Sequence, residues 1–182
     1  MSAEPEPGNG LAGLAALLRE EGGLMAGLLP AEPTPAGDPG SPAALAASGP
    51  RADGRRGEYE LLIEAIYEGY LLHYGEPRLL RSGDPDLGLL AGDRLYALGL
   101  ARLVEVGDTF AVAELADTIS LSALAQGAGD AELAAEVWTA GARTVGWGPS
   151  EAHAHAKGLV VAGAPEAIEA MRTSARDASG TR

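Results

Sequence analysis

Cysteine is missing from all 182 residues of this chain. That excludes disulfide staples, thiolate metal sites and cysteine nucleophiles, and it leads us to expect a protein of the reducing cytoplasm. Aromatic side chains are scarce too, at 4% of residues with a single phenylalanine. With few β-branched residues beside them, this argues against a sheet core, which draws on both kinds. Positive charge is also short: 13 Lys and Arg face 26 Asp and Glu, a formal net charge of -13. Phosphate backbones and anionic lipid repel such a chain, so we expect no nucleic acid among its partners. No apolar run approaches the roughly 18 residues of a membrane span. The acidic start MSAEPEPGNG lacks the basic residues of a secretory signal.

What remains is rich in alanine and leucine, which favour helix strongly. The expectation is an all-α fold: an up-down antiparallel bundle of about five to six helices joined by short turns. Residues 1–56 read as a mostly disordered extension, with room for a short helix over 11–29 that breaks at Gly22-Gly23. In PAEPTPAGDPGSPAALAASGPRADGRR, Pro and Gly dominate and no hydrophobic period survives. The helical domain then covers 57–177, and 178–182 form a frayed tail.

The domain opens on YELLIEAIYEGYLLHYGEPRLL. Tyr59, Leu62, Ile63, Ile66, Tyr67, Tyr70, Leu71 and Tyr74 recur at three- and four-residue steps along one broad face. Glu60, Glu64 and Glu68 form a row four apart, expected on the opposite, solvated side. Asp84, then Pro85 and Asp86, start a second helix that runs to about Val106, with Gly92 and Gly99 able to admit a close backbone neighbour. Gly107-Asp108 closes it and caps a third helix from Thr109 to about Ala128. No charge interrupts the stretch between Asp117 and Asp130, so that half is expected to be central. Asp130 and Ser150 cap a fourth and a fifth helix, and Pro165 opens a sixth. Trp147, in the turn GWGP, reads as a plug folded back on the core.

Chemistry is harder to find. There is no phosphate-binding glycine loop and no G-x-S-x-G elbow, and Ser120 and Ser122 have no histidine close in sequence. His153 and His155 stand two apart, which sends them to opposite sides of a helix, and E-x-H at Glu151 does not replace the E-x-x-H of a di-iron bundle. We therefore expect no metal, no cofactor and no catalytic residue. One polar cluster remains as a candidate: Glu68, His73 and Asp93, facing each other between the first two helices. Asp93 is a mediocre helix-interior residue among apolar neighbours, so it is either buried and paired or aligned with Asp86 toward water.

The stretch LLAGDRLYALGLARLVEVGDTFAVAELADTISLSAL resembles the second-helix region of trans-prenyl diphosphate synthases, and most of all the small non-catalytic subunit of two-component medium-chain synthases. The resemblance covers about residues 58–125 and rests chiefly on the LAGD-plus-aromatic segment. Catalytic members hold magnesium diphosphate through DDxxD motifs. This chain has no adjacent Asp pair and is too short for the catalytic bundle, so no catalytic residue is carried over. The resemblance implies a helical partner subunit. The expected contact surface is then Tyr59, Ile63, Tyr67, Tyr70, Tyr74, Gly92, Tyr96 and Gly99, unless the domain's own core claims them. The expected partner is a protein or a second copy of the chain. The alternatives are a small-molecule or enzymatic site at Glu68, His73 and Asp93, or a purely structural homodimer.

Overall fold

The computed structural model describes residues 9–31, 34 and 37–176. Among them are nine α-helices, one 3-10 turn and no strand. In order these are α1 (Gly10–Glu21), α2 (Gly23–Gly27), α3 (Pro42–Ser48), the turn Pro50–Ala52, α4 (Arg56–Tyr74), α5 (Pro85–Val106), α6 (Thr109–Gly127), α7 (Ala131–Trp147), α8 (Glu151–Val161) and α9 (Ala167–Arg176).

Local capping sets most of these boundaries. The Asp84 carboxylate accepts from Asp86 N–H ahead of α5 (3.0 Å), and Gly107, at φ 85°, ends that helix in the left-handed conformation. Asp108, Asp130 and Ser150 accept from Ala111, Leu133 and His153 N–H at the starts of α6, α7 and α8. α7 runs on through Trp147, past the turn expected there, and the Arg143 guanidinium lies 3.7 Å over the Trp147 ring.

The expected disordered extension carries three helices among its described residues, and two of them pack firmly on the domain. In α1, Leu11, Leu14, Ala15 and Leu18 are at most 1% exposed. Ser41 Oγ caps α3 by accepting from Ala44 N–H, and Ala43 and Ala46 of α3 are fully buried. Small residues let α3 wedge between α4 and α7: a Cβ on Gly49 would lie 2.3 Å from Gly146 O. An alanine helix holds few apolar carbons, yet at such close approach those of Ala43 and Ala46 are buried completely. The proposed tail at 178–182, like residues 1–8, lies outside the described residues.

α4 packs along α5, α6 along α7, and α9 against both α7 and α8. The main apolar cluster joins α3, α4, α5, α6 and α7 around Trp138, with Tyr59, Ile63, Ile66, Leu103 and Leu115. A second cluster lies under α1 and a third between α7, α8 and α9. The uncharged half of α6 is only partly central: Leu121, Ser122 and Ala125 are buried, whereas Ser120 and Leu124 face outward.

Gly92 and Gly99 do admit a close neighbour, and it is α4. A Cβ on Gly99 would stand 2.4 Å from Ile66 Cγ1 and 2.8 Å from Leu62 O. Gly99→Ala is therefore expected to destabilise the chain by about 1–3 kcal/mol through overpacking. Gly158→Ala, exposed within α8 with open space around it, is expected to stabilise by about 0.5–1 kcal/mol. Thermal melts of the two variants, shifting in opposite directions, check this pair.

Candidate functional site

The candidate cluster Glu68, His73 and Asp93 does not form. Glu68 Oε1 accepts from Leu79 N–H (2.6 Å) and Leu80 N–H (3.2 Å), and its Oε2 from Arg78 Nε (3.3 Å). His73 and Asp93 meet each other elsewhere, across the α4–α5 contact. Nε2 stands 3.1 Å from Asp93 Oδ1, at an angle that makes no hydrogen bond, and the Asp93 side chain is 68% exposed. The imidazole instead stacks on Tyr96, 5.4 Å between ring centres and 5° from parallel. Asp93 thus points to water, as its alignment with Asp86 allows.

The row of glutamates on α4 is interior, which corrects its expected solvated placement. Glu60 is 3% exposed, and Glu64 and Glu68 are fully buried. Each ties a different piece of chain to α4. Glu60 Oε1 accepts from Gly10 N–H at the start of α1 (3.3 Å). Glu64 accepts from Ser41 Oγ (3.0 Å), the cap of α3, and from Arg78 Nη2. Glu68 turns the chain after α4 through the two amides already named. Arg78 bridges Glu64 and Glu68, with its guanidinium 5.1 Å over the Tyr67 ring. Burial by itself would lower the Arg78 pKa, but the hydrogen bond and charge of Glu64, then the charge of Glu68, hold it above its ordinary value.

A second buried network joins α6, α8 and α9. His153 Nδ1 meets Ser174 Oγ at 2.8 Å, its Nε2 meets Glu114 Oε1 at 2.6 Å, and Lys157 Nζ donates to Glu114 Oε2 at 2.8 Å. A hydroxyl, an imidazole and a carboxylate in series are the components of a nucleophile–base pair with its orienting acid. Here the ring nitrogens are used in the opposite order to a serine-protease triad, and the three residues are exposed by only 3–5%. Both ring nitrogens and both Glu114 oxygens are engaged, so the network ties three helices together.

At the α5–α6 turn, Arg51 Nη2 grips both Asp108 oxygens (2.8 and 2.7 Å), and Tyr59 Oη donates to Asp108 Oδ2 at 2.5 Å. Arg51 Nε donates to Val145 O, tying in α7. Burial alone would raise the Asp108 carboxyl pKa. Hydrogen bonds from Tyr59 and Ala111 N–H, with the Arg51 charge, outweigh it and bring the group below 3.8. Burial, helped by the Asp108 hydrogen bond, pushes the Tyr59 hydroxyl up to about 12.

The expected contact surface lies mostly inside. Tyr59, Ile63 and Tyr70 are at most 6% exposed, and Gly92 and Gly99 sit in the α4–α5 seam, because the apolar face of α4 is covered by its own neighbours. Tyr67 and Tyr96 are half-buried, and Tyr74 is 45% exposed. Tyr67 and Tyr70 pack on Trp138 at 5.0 and 5.1 Å, and the rings continue through Tyr74 and His73 to Tyr96. Trp138 Nε1, Tyr96 Oη and His73 Nε2 are buried along this run without a hydrogen-bond partner. No group of three or more His, Asp or Glu among the described residues is placed to hold a metal ion, and no described helix is long and apolar enough to cross a membrane.

The interior placement of the glutamate row has a signal in the sequence. From Glu60 to Leu72 the helix has no Lys, Arg, Asn or Gln, so apart from three carboxylates it is apolar or aromatic all round, the mark of a buried helix. Arg78, ten and fourteen residues away along the chain, could not be paired with them by spacing alone.

Comparison of the chain with protein-family models, with curated proteins and with solved structures finds no match. Fold and site together define a class, an all-helical protein whose buried polar groups serve as ties between helices.

Arg78→Met is expected to cost about 3–5 kcal/mol, since it strands two buried carboxylates. Urea unfolding at neutral pH measures this. The Asp108 contribution to stability is present above pH 3.8 and lost as pH falls through the lowered folded value. That of Tyr59 is complete below pH 10.0 and lost as pH rises to about 12. Tyr59→Phe should remove the alkaline loss between those two values, read from the denaturation midpoint against pH.

Proposed function

We propose that the chain is a non-catalytic accessory protein that acts by binding another protein through the outer face of α5. One observation carries this reading. Leu90 and Val104 are 63% and 55% exposed on a helix whose other side is sealed against α4, and exposed Ala97 and Ala101 continue the strip between them. Leu90, Ala97 and Val104 are seven residues apart, the register in which one helix meets another along a seam. Small residues at the middle let a partner helix come close, and Asp93 and Arg94 flank the strip with both signs of charge.

The partner that fits the LAGD-region resemblance is the catalytic chain of a two-component prenyl diphosphate synthase, which would supply the Asp-rich motifs missing here. The cysteine-free composition supports a cytoplasmic setting, and the short turns support an up-down order of the long helices. A second reading rests on the three unpartnered polar atoms of the aromatic run. An amphipathic small molecule with acceptors for Trp138 Nε1–H and Tyr96 O–H would use them, and Asp93 would stand at its edge with His73.

Leu90→Asp combined with Val104→Asp should leave the circular dichroism spectrum unchanged and abolish co-purification of a stoichiometric partner from cells of the source organism. A partner retained by the double variant sinks the α5 assignment. A chain recovered alone, with concentration-dependent melting, favours a homodimer instead.

A further inference from the structure

We propose that α1 is a releasable strap over a helix-binding groove on the α4–α5 pair. The groove's other occupant is an amphipathic helix of a partner protein that repeats the α1 pattern. This inference concerns a different surface from the outer face of α5 and does not depend on it.

The chain itself displays the kind of ligand that fits. Leu11, Leu14, Ala15 and Leu18, at i, i+3, i+4 and i+7, are fully or almost fully buried. They pack on Ala65 of α4, on Leu79 and Leu80 of the following loop, and on Ala91, Leu95 and Leu98 of α5. The acidic end of α1 points Glu21 toward Arg94 and Arg102, at 3.8 and 3.6 Å. The fitting partner helix therefore reads Leu-x-x-Leu-Ala-x-x-Leu followed within a turn by an acidic residue.

Three features make this contact reversible. First, the polar ties of α1 to other elements that are seen among the described residues are long: the two Glu21 pairs and the 3.3 Å bond from Gly10 N–H to Glu60. Second, α1 ends at Gly22 and Gly23, both at positive φ (71° and 67°), which separate it from α2, where Met25 stays in the cluster and Leu28 O accepts from Arg81 N–H just beyond. A glycine pair of this kind turns without breaking either helix. Third, the apolar cluster under α1 is separate from the clusters around Trp138 and Met171. Removing α1 uncovers one cluster and leaves the other two intact. A helix of 12 residues is marginal by itself in water, so α1 is held by the groove and loses its helicity when it leaves.

A tethered occupant competes at an effective concentration on the order of millimolar. A partner helix must displace it, so the strap raises the threshold for binding. The test uses the full-length chain and a fluorescent synthetic peptide of residues 9–29. Leu14→Asp with Leu18→Asp should free the groove and bind this peptide at least ten-fold more tightly than the unmodified chain does. A folded double variant that binds no peptide overturns the proposal. So does a swapped dimer of the unmodified chain, which would make a second copy the occupant.

Should the double variant fail to fold, hydrogen exchange on the unmodified chain decides. Release predicts that the amides of Leu14, Ala15 and Leu18 exchange at least 100-fold faster than those of Leu62 to Ile66. Equal protection in the two helices refutes the strap.

Discussion

Taking a carboxylate out of water costs several kcal/mol unless hydrogen bonds and a counter-charge replace the lost hydration. α4 buries three of them on one meridian. The surrounding structure follows from how that demand is met. Glu60 calls for donors from the start of α1, Glu64 for the cap of α3, and Glu68 for the backbone of the loop that reverses the chain. Arg78, fixed in that loop, brings the single guanidinium that serves two of the carboxylates. Because an unsatisfied charge is so much worse than a satisfied one is good, the row acts less as a source of stability than as a specification. Each glutamate accepts one local arrangement of the segment opposite it.

The same logic recurs at the far end of the molecule. Glu114 and His153 are buried between α6 and α8, with Ser174 on α9 and Lys157 closing the set. There burial pulls the Lys157 pKa down, and the hydrogen bonds it donates to Asp117 and Glu114 pull it back above its ordinary value. At the α5–α6 turn, Asp108 caps a helix and at the same time receives Arg51 and Tyr59. Polar groups of the sort that form active sites are thus present in the right types. In each network their lone pairs and protons are already engaged by the chain itself. What the surface offers beside them is the apolar strip on α5.

Several elements could be read before any coordinates. Asp84-Pro85, Gly107-Asp108, Asp130 and Ser150 mark helix starts because an N-cap acts over two or three residues, a distance fixed by the helix itself. The break at Gly22-Gly23 was legible for the same reason. Packing of α3 was not. PAALAAS has no hydrophobic period worth the name, and its burial depends on Gly49 and Gly146 meeting nearly a hundred residues apart. The Tyr-rich face of α4 was visible as a face, but whether a face meets solvent, a partner or the same chain is not a local property.

The amino-acid sequence by itself determined the helical class, the positions of the long helices α4 to α9 to within a few residues, and the strong acidity. These follow from propensity, capping and composition, which act over a turn or two or over the whole chain at once. Only the tertiary structure decided that the glutamate row lies inside, that Glu68 parts company with His73 and Asp93, and that α1 covers a groove. The physical reason is that burial and charge pairing are settled between segments distant in sequence. Arg78 meets Glu64, and Ser174 meets His153, only after the helices carrying them have packed.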